Sequence, residues 1–208
     1  MPVNDRALPL RERKRLRTRT ALADAALRLF SEKGFAATTV EELVDEAEVS
    51  RSTFFRMFAT KEAVATEAET ELWSNYLAAL NDRTIDGTVL TALRDTLTAA
   101  AIELPEDWDR RYVITRRLVL TAPTLLGHVD YYRSGVEKEA IGILAGKLGL
   151  DTGDLRLRIL VELATTAWSV AARDWVRDEA TGGRTALLAS VHAAFDAVPV
   201  ALELAPGD

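Results

Sequence analysis

The sequence predicts an all-α fold, and three observations carry the prediction. Ala, Leu, Arg and Glu recur at helical spacing through nearly the whole chain. β-branched runs are few, and no hairpin turn stands between alternating segments. Gly34, the pair Asp86 and Gly87, and the pair Gly182 and Gly183 punctuate the pattern where helices would stop.

At 208 residues, 48% hydrophobic and 28% charged, the chain can bury a core in one domain or in two small ones. It has no apolar run of the roughly 18 residues that a membrane helix needs, and its start lacks the apolar region of a signal peptide. The expected location is therefore the cytoplasm, without membrane contact. Zero cysteines exclude disulfides and thiolate metal sites. With His128 and His192 the only histidines, neither a metal nor a cofactor is expected.

The first helix carries Leu22, Ala26, Leu29 and Phe30 on one stripe. It stops at Gly34, where a left-handed residue is wanted, and Phe35 follows as a hydrophobic cap. Thr39 with Glu42 three residues on is a capping box for a second helix, which buries Val40, Leu43, Val44 and Ala47. A turn over residues 48–50 leads to a third helix with Ser50 as N-cap, and Thr60 caps a longer fourth running from Lys61 towards Leu80. Three short helices with a tight turn between the second and third describe a helix-turn-helix, whose second member lies in the major groove.

The stretch VSRSTFFRMFATKEAV divides on helical geometry, since neighbours lie about 100° apart. Positions 50, 54, 57 and 58 share one side, and 51, 52, 55 and 56 share the other. Phe54 and Phe58 are core, whereas Phe55 faces outward beside Arg51, Ser52 and Arg56. Two readings of Phe55 stand: a ring packed on a neighbouring helix, or one that meets a thymine methyl or a sugar in a groove. Arg51 is placed to reach guanine O6 and N7, and Ser52 and Thr53 can bond a base or a phosphate. Lys61 adds its charge to free N–H groups at a helix start, a natural phosphate site.

Charge supports the same partner. Residues 1–61 hold 12 basic and 9 acidic side chains, a balance of +3, whereas the remainder holds 14 against 23, a balance of −9. Arg11, Arg13, Lys14, Arg15, Arg17 and Arg19 lie together with only Glu12 among them. Such a cluster attracts phosphate backbones, although a solvated helix start accounts for it as well. With Leu16 the one large apolar residue inside the cluster, a membrane-surface segment is disfavoured.

From Ala21 to Val64 the sequence reads ALADAALRLFSEKGFAATTVEELVDEAEVSRSTFFRMFATKEAV. It resembles the DNA-binding domain of TetR-family transcriptional regulators in its AA..LF..KGF..TTV..L opening, its VS.STF.R.F recognition helix and its T/S-K-E start to the fourth helix. By position, the resemblance implies that Thr39 and Lys61 bind phosphates while Arg51, Ser52, Thr53, Phe55 and Arg56 face the groove. Its FFR variant is similar to a subgroup associated with mycofactocin-type regulators. Three positions depart from the family pattern. Glu48 stands where Gly is usual in the turn; a non-glycine residue held left-handed costs roughly 1 kcal/mol, and its carboxylate repels phosphate. Phe55 stands where Tyr is common and Met57 where Tyr or His is, which removes two hydrogen bonds to phosphate. The basic arm is then expected to supply more of the affinity.

The resemblance implies a basic arm and DNA-binding domain over residues 1–60, and a helical effector-binding and dimerisation domain over residues 61–208. In the second, a helix is expected from Val89 to about Ile102. Another, with Pro105 in its first turn, would carry Trp108, Tyr112, Ile114 and Leu118, and Pro123 would separate it from the next. Gly142 and Gly146 share one face of a later helix, which permits close helix approach or means local packing. An effector cavity would be lined by Trp108, Tyr112, His128, Tyr131 and Trp168 with Arg116 as polar anchor, although each also reads as core or surface.

Leu157, Leu160, Val161, Ala164, Trp168, Ala171 and Trp175 form one terminal stripe; Leu187, Leu188, Val191, Ala194, Phe195 and Val198 form the other. These last two helices meeting their symmetry mates would make a four-helix dimer bundle, with packing inside the chain as the alternative. His192 there reads as an interface residue.

No Gly-rich phosphate loop, GxSxG elbow or HExxH motif appears, so an enzyme is not expected. The reading is a homodimeric regulator, a repressor, that binds a palindromic operator in double-stranded DNA and is released by a small-molecule effector. An architectural DNA-binding protein without an effector is one alternative, and an all-helical small-molecule enzyme is the other.

Overall fold

The computed structural model describes residues 9–205. These form helices and no strand, in the order α1 (Leu10–Lys33), α2 (Val40–Glu46), α3 (Arg51–Met57), α4 (Lys61–Ala65), α5 (Glu67–Asp82), α6 (Val89–Ile102), α7 (Trp108–Thr121), α8 (Pro123–Leu148), α9 (Leu155–Arg177) and α10 (Gly183–Ala201). Among the described residues no helix is long and apolar enough to cross a membrane.

The chain divides into two compact units. One holds the chain up to Glu71 together with Glu103–Tyr132; the other holds Leu72–Ile102 and the chain from Arg133 onward. The expected division at residue 60 is not the one that packing makes. α7 belongs with α1 in the first unit, where Trp108 Nε1 donates to Ala68 O at 2.8 Å and Thr115 Oγ1 to Ala65 O at 3.0 Å.

Each boundary in the first unit has a local cause. Gly34 ends α1 at φ +86° with its N–H on Phe30 O, and the Phe35 ring closes on Phe30 at 5.1 Å. The capping box at Thr39 is complete: Glu42 N donates to Thr39 Oγ1 at 3.2 Å and Thr39 N to Glu42 Oε2 at 2.8 Å. After α2, Val49 N donates to Val44 O and Glu48 N to Asp45 O, with Glu48 at φ +51°. This is a Schellman turn with glutamate in the position that favours glycine. Ser50 and Thr60 then cap α3 and α4 through Thr53 N and Ala63 N.

The long fourth helix expected from Lys61 towards Leu80 is broken at Thr66. Thr66 Oγ1 bonds back to Glu62 O at 3.0 Å, and Glu69 N donates to Thr66 O at 3.0 Å. Back-bonding threonines bend helices, and the carbonyl of Ala65 takes the Thr115 hydroxyl instead of the next turn's N–H. The core of this unit joins Leu22, Ala26, Phe30, Leu43, Phe54, Phe58 and Val64 with Leu118 and Leu125. α7 starts at Trp108, three residues after Pro105, whose carbonyl accepts Trp108 N at 3.1 Å.

In the second unit α6, α9 and α10 pack on one another. α6 spans the expected residues, and Gly87 ahead of it has φ +79°. Of the two terminal stripes, Leu157, Val161, Ala164, Trp168, Ala171, Trp175, Leu187, Val191 and Phe195 are buried inside the chain itself. They form its core with Leu93 and Leu97, so they are not the face left for a partner. His192 likewise lies within the unit, its Nε2 3.2 Å from Thr98 Oγ1. Gly142 and Gly146 are exposed, and a Cβ added at either would meet nothing within 4 Å, so no described element approaches them closely.

Candidate nucleic-acid interface

α3 is seven residues long, too short to hold its shape by its own hydrogen bonds, so its neighbours fix its orientation. Phe54 and Phe58 anchor it, wholly or almost wholly buried, with ring centroids 6.0 Å apart. Met57 packs against the same core. Arg51, Ser52, Phe55 and Arg56 are left on the exposed side. The Phe55 ring stands edge-on to Phe54 at 5.2 Å and stays 46% exposed. About half of the ring is thus left open to solvent.

The polar groups of this face are held lightly. Arg51 Nη1 donates to Glu41 Oε1 at 2.5 Å, and its guanidinium lies 5.6 Å above the Phe55 ring. Ser50 Oγ lies 2.9 Å from both Ser52 Oγ and Thr53 Oγ1, while Arg56 Nη2 donates to Thr53 Oγ1 at 3.3 Å. Thr39 is exposed at the start of α2, its hydroxyl shared between Glu42 N and Glu42 Oε2. Lys33 and the Thr39 backbone hold the Glu42 carboxyl down, at about 2.

Lys61 is placed differently from a simple surface cation. Its Nζ donates to Phe35 O and Thr38 O, both at 2.8 Å, and lies 4.3 Å over the Phe35 ring. Two of its three N–H groups are thus engaged. The side chain staples the loop between α1 and α2 as well as presenting charge.

The basic cluster forms the first turns of α1, and its members part company. Arg11, Lys14 and Arg15 pair with no carboxylate among the described residues; with Arg56 and Met57 they line a crevice of about 750 Å³ between α1 and the end of α3. Arg19, three and seven residues before Leu22 and Ala26, turns inward on the stripe they define. It forms a two-pronged pair with Glu67 and donates Nη1 to Met57 O at 2.5 Å. The reading of Arg19 as one more phosphate attractor missed this, although its spacing from Leu22 was the available signal.

The expected effector residues divide between the two units. Trp108 and Tyr112 are buried and stacked at 4.5 Å, one turn apart on α7. Arg116, a further turn along, pairs with Glu69 at 2.9 Å. On α8, His128 is half-buried and Tyr131 is 82% exposed. Trp168 is buried in the second unit, edge-on to Trp73 at 6.1 Å.

A helix-turn-helix with a polar, partly basic outward face beside unneutralised arginines defines a DNA-binding regulator of transcription, and similarity to known proteins makes the class specific. Residues 22–68 match the bacterial regulatory proteins of the tetR family. The HTH-type transcriptional regulator TcmR of Streptomyces glaucescens is 34% identical over 174 residues, 80% of this chain and 76% of that protein. The chain belongs to the TetR family. The putative mycofactocin biosynthesis transcriptional regulator MftR of Mycobacterium tuberculosis is 27% identical over 200 residues, 92% of this chain and 94% of its own length. Among solved structures, SmeT, the repressor of the Stenotrophomonas maltophilia multidrug efflux pump SmeDEF, shares the fold with a TM-score of 0.55 at 20% identity. The match covers 91% of this chain and 94% of that one. These relatives are regulators and not enzymes.

Proposed function

We propose that the protein is a repressor that binds a palindromic operator as a homodimer and leaves it when a small, largely apolar molecule binds the residues beyond the helix-turn-helix. The observation that carries the DNA part is the outward face of α3, where Arg51, Ser52, Phe55 and Arg56 stand clear of the core. Arg51 reads a guanine, Ser52 and Thr53 bond a base or phosphate, and Phe55 contacts a thymine methyl or sugar. Thr39, Lys61 and the α1 arginines supply the sequence-independent part.

Dimerisation follows from the palindrome, because two copies of α3 must be presented by a two-fold axis. The partner surface is the side of α9 and α10 left uncovered, where Leu155, Ile159, Val170 and Val200 are exposed. Trp108, Tyr112, Arg116, His128, Tyr131 and Trp168 remain the effector candidates, and a ligand that reaches Trp108, Tyr112 or Trp168 requires local rearrangement because each of the three is buried. The effector must favour the DNA-incompetent arrangement, and a tenfold release needs only about 1.4 kcal/mol of differential affinity.

The test is recovery of genomic fragments on the purified protein, followed by a screen for compounds that release them. An inverted repeat in the recovered fragments and a releasing compound are expected. Recovery without any releasing compound would favour an architectural DNA-binding protein, and no binding at low salt would refute the reading.

A further inference from the structure

We infer that Arg19 is the positioning residue of the recognition helix, holding its back end through a charge pair with Glu67. The carbonyls of the last turn of any helix lack partners within it. In α3 the final one, Met57 O, accepts Arg19 Nη1 at 2.5 Å, a cation at the negative end of the helix. The same guanidinium lies 4.3 Å over the ring of Phe58, the residue that caps α3. Its remaining edge is turned to both carboxylate oxygens of Glu67, with Nη2 2.6 Å from Oε2. One side chain from α1 therefore ties the end of α3 to the first residue of α5.

The chemistry of the pair suits a fixed joint and not a surface contact. Glu67 is 5% exposed, and burial raises its carboxyl pKa even against the pull of Arg19. A buried carboxylate holds its partner tightly, because separation would leave a charge in a poorly solvated place. Planarity matters as well. A guanidinium can meet a carboxylate, a carbonyl and a ring face at once, whereas an ammonium is a compact point charge with no fork. The front of α3 is capped by the Ser50 hydroxyl, and the direction in which Arg51 and Phe55 point depends on the back as well.

The DNA arm of the test rests on the proposed DNA binding, and the second arm does not. Full-length wild type, Arg19→Lys, Glu67→Gln and the double variant are titrated with a selected operator and a scrambled duplex, each active fraction being set by stoichiometric titration. A positioning role predicts that Arg19→Lys, which keeps the charge, loses about tenfold on the operator, about 1.4 kcal/mol. Scrambled binding and its salt slope should stay near wild type. Glu67→Gln should lose a similar factor, and the double variant little more, since both act through one joint. Equal loss on both duplexes would make Arg19 a phosphate contact, and wild-type affinity in Arg19→Lys would make it a bystander; either result overturns the proposal. Amide exchange across residues 54–58 should be faster in Arg19→Lys, and unchanged exchange would also overturn it. If wild type binds no duplex, the DNA reading has failed, while the exchange arm still decides whether Arg19 holds α3.

Discussion

Arg51 and Glu41 face each other across the turn of the helix-turn-helix, Nη1 to Oε1 at 2.5 Å. Both side chains are largely exposed, so the pair is worth little to stability, about 0 to 1 kcal/mol. Its consequence is for binding: the guanidinium must leave Glu41 to reach a base. Glu41→Gln should therefore tighten operator binding by a factor of up to about 5, the equivalent of that energy, and lower folding stability by no more than the same amount. Weaker binding would mean that Glu41 orients Arg51 for DNA.

Lys61 has a structural task beside its expected phosphate contact. Lys61→Ala frees the carbonyls of Phe35 and Thr38 and should cost about 1 to 2 kcal/mol in denaturant unfolding. On DNA it should weaken cognate and scrambled duplexes alike and lower the salt slope by about one unit. A full salt slope with reduced stability would leave Lys61 a staple alone.

Glu48 sits at φ +51° in the turn that leads into α3, and its side chain is exposed. Glu48→Gly removes the left-handed penalty and should raise stability by about 0.5 to 1 kcal/mol after the added chain entropy of glycine. Operator affinity should rise too, as one repelling charge is removed. A drop in the unfolding midpoint would show that the side chain makes a compensating contact.

The capping box predicts a pH response. Lys33 and the Thr39 N–H hold the Glu42 carboxyl at about 2, below its ordinary 4.5. A depressed carboxyl stabilises the folded state above its unfolded value, and that contribution disappears as pH falls from 4.5 through about 2. An NMR titration should find the Glu42 carboxyl at about 2, moving upward in Lys33→Ala. An ordinary value in wild type would mean the box is open in solution.

Deleting positive charge from α1 measures its share of DNA binding. Arg11→Ala, Lys14→Ala and Arg15→Ala combined should reduce the salt slope by about 0.9 for each phosphate that is no longer neutralised, with no change in base preference. An unchanged slope would mean that the first turns of α1 are solvated and unused. The residues before Pro9 lie outside those described, so their part in the arm is measured separately by truncation.

Local chemistry made the helix-turn-helix legible. Thr39, Ser50, Thr60 and Gly34 each fix a boundary with their own side chain or lack of one, and the structure realises all four. Helical spacing likewise separated Phe54 from Phe55. What stayed hidden depends on distant groups. The break at Thr66 rests on its own back-bond and on Thr115 taking the freed carbonyl, which nothing near residue 66 announces. The stripes of α9 and α10 showed which side is apolar but not whether it meets the same chain or another, and they meet the same chain. Lys61 and Arg19 read as surface cations because their acceptors lie 23 residues or more away in sequence.

The proposed reading of bases by α3 rests on Arg51. The direct measurement is the ratio of affinities for a selected operator and a scrambled duplex, at one fixed salt concentration, in wild type and Arg51→Ala. A fall in operator affinity of about 1 to 3 kcal/mol with scrambled binding nearly unchanged is the predicted result. A wild-type ratio in Arg51→Ala would contradict it.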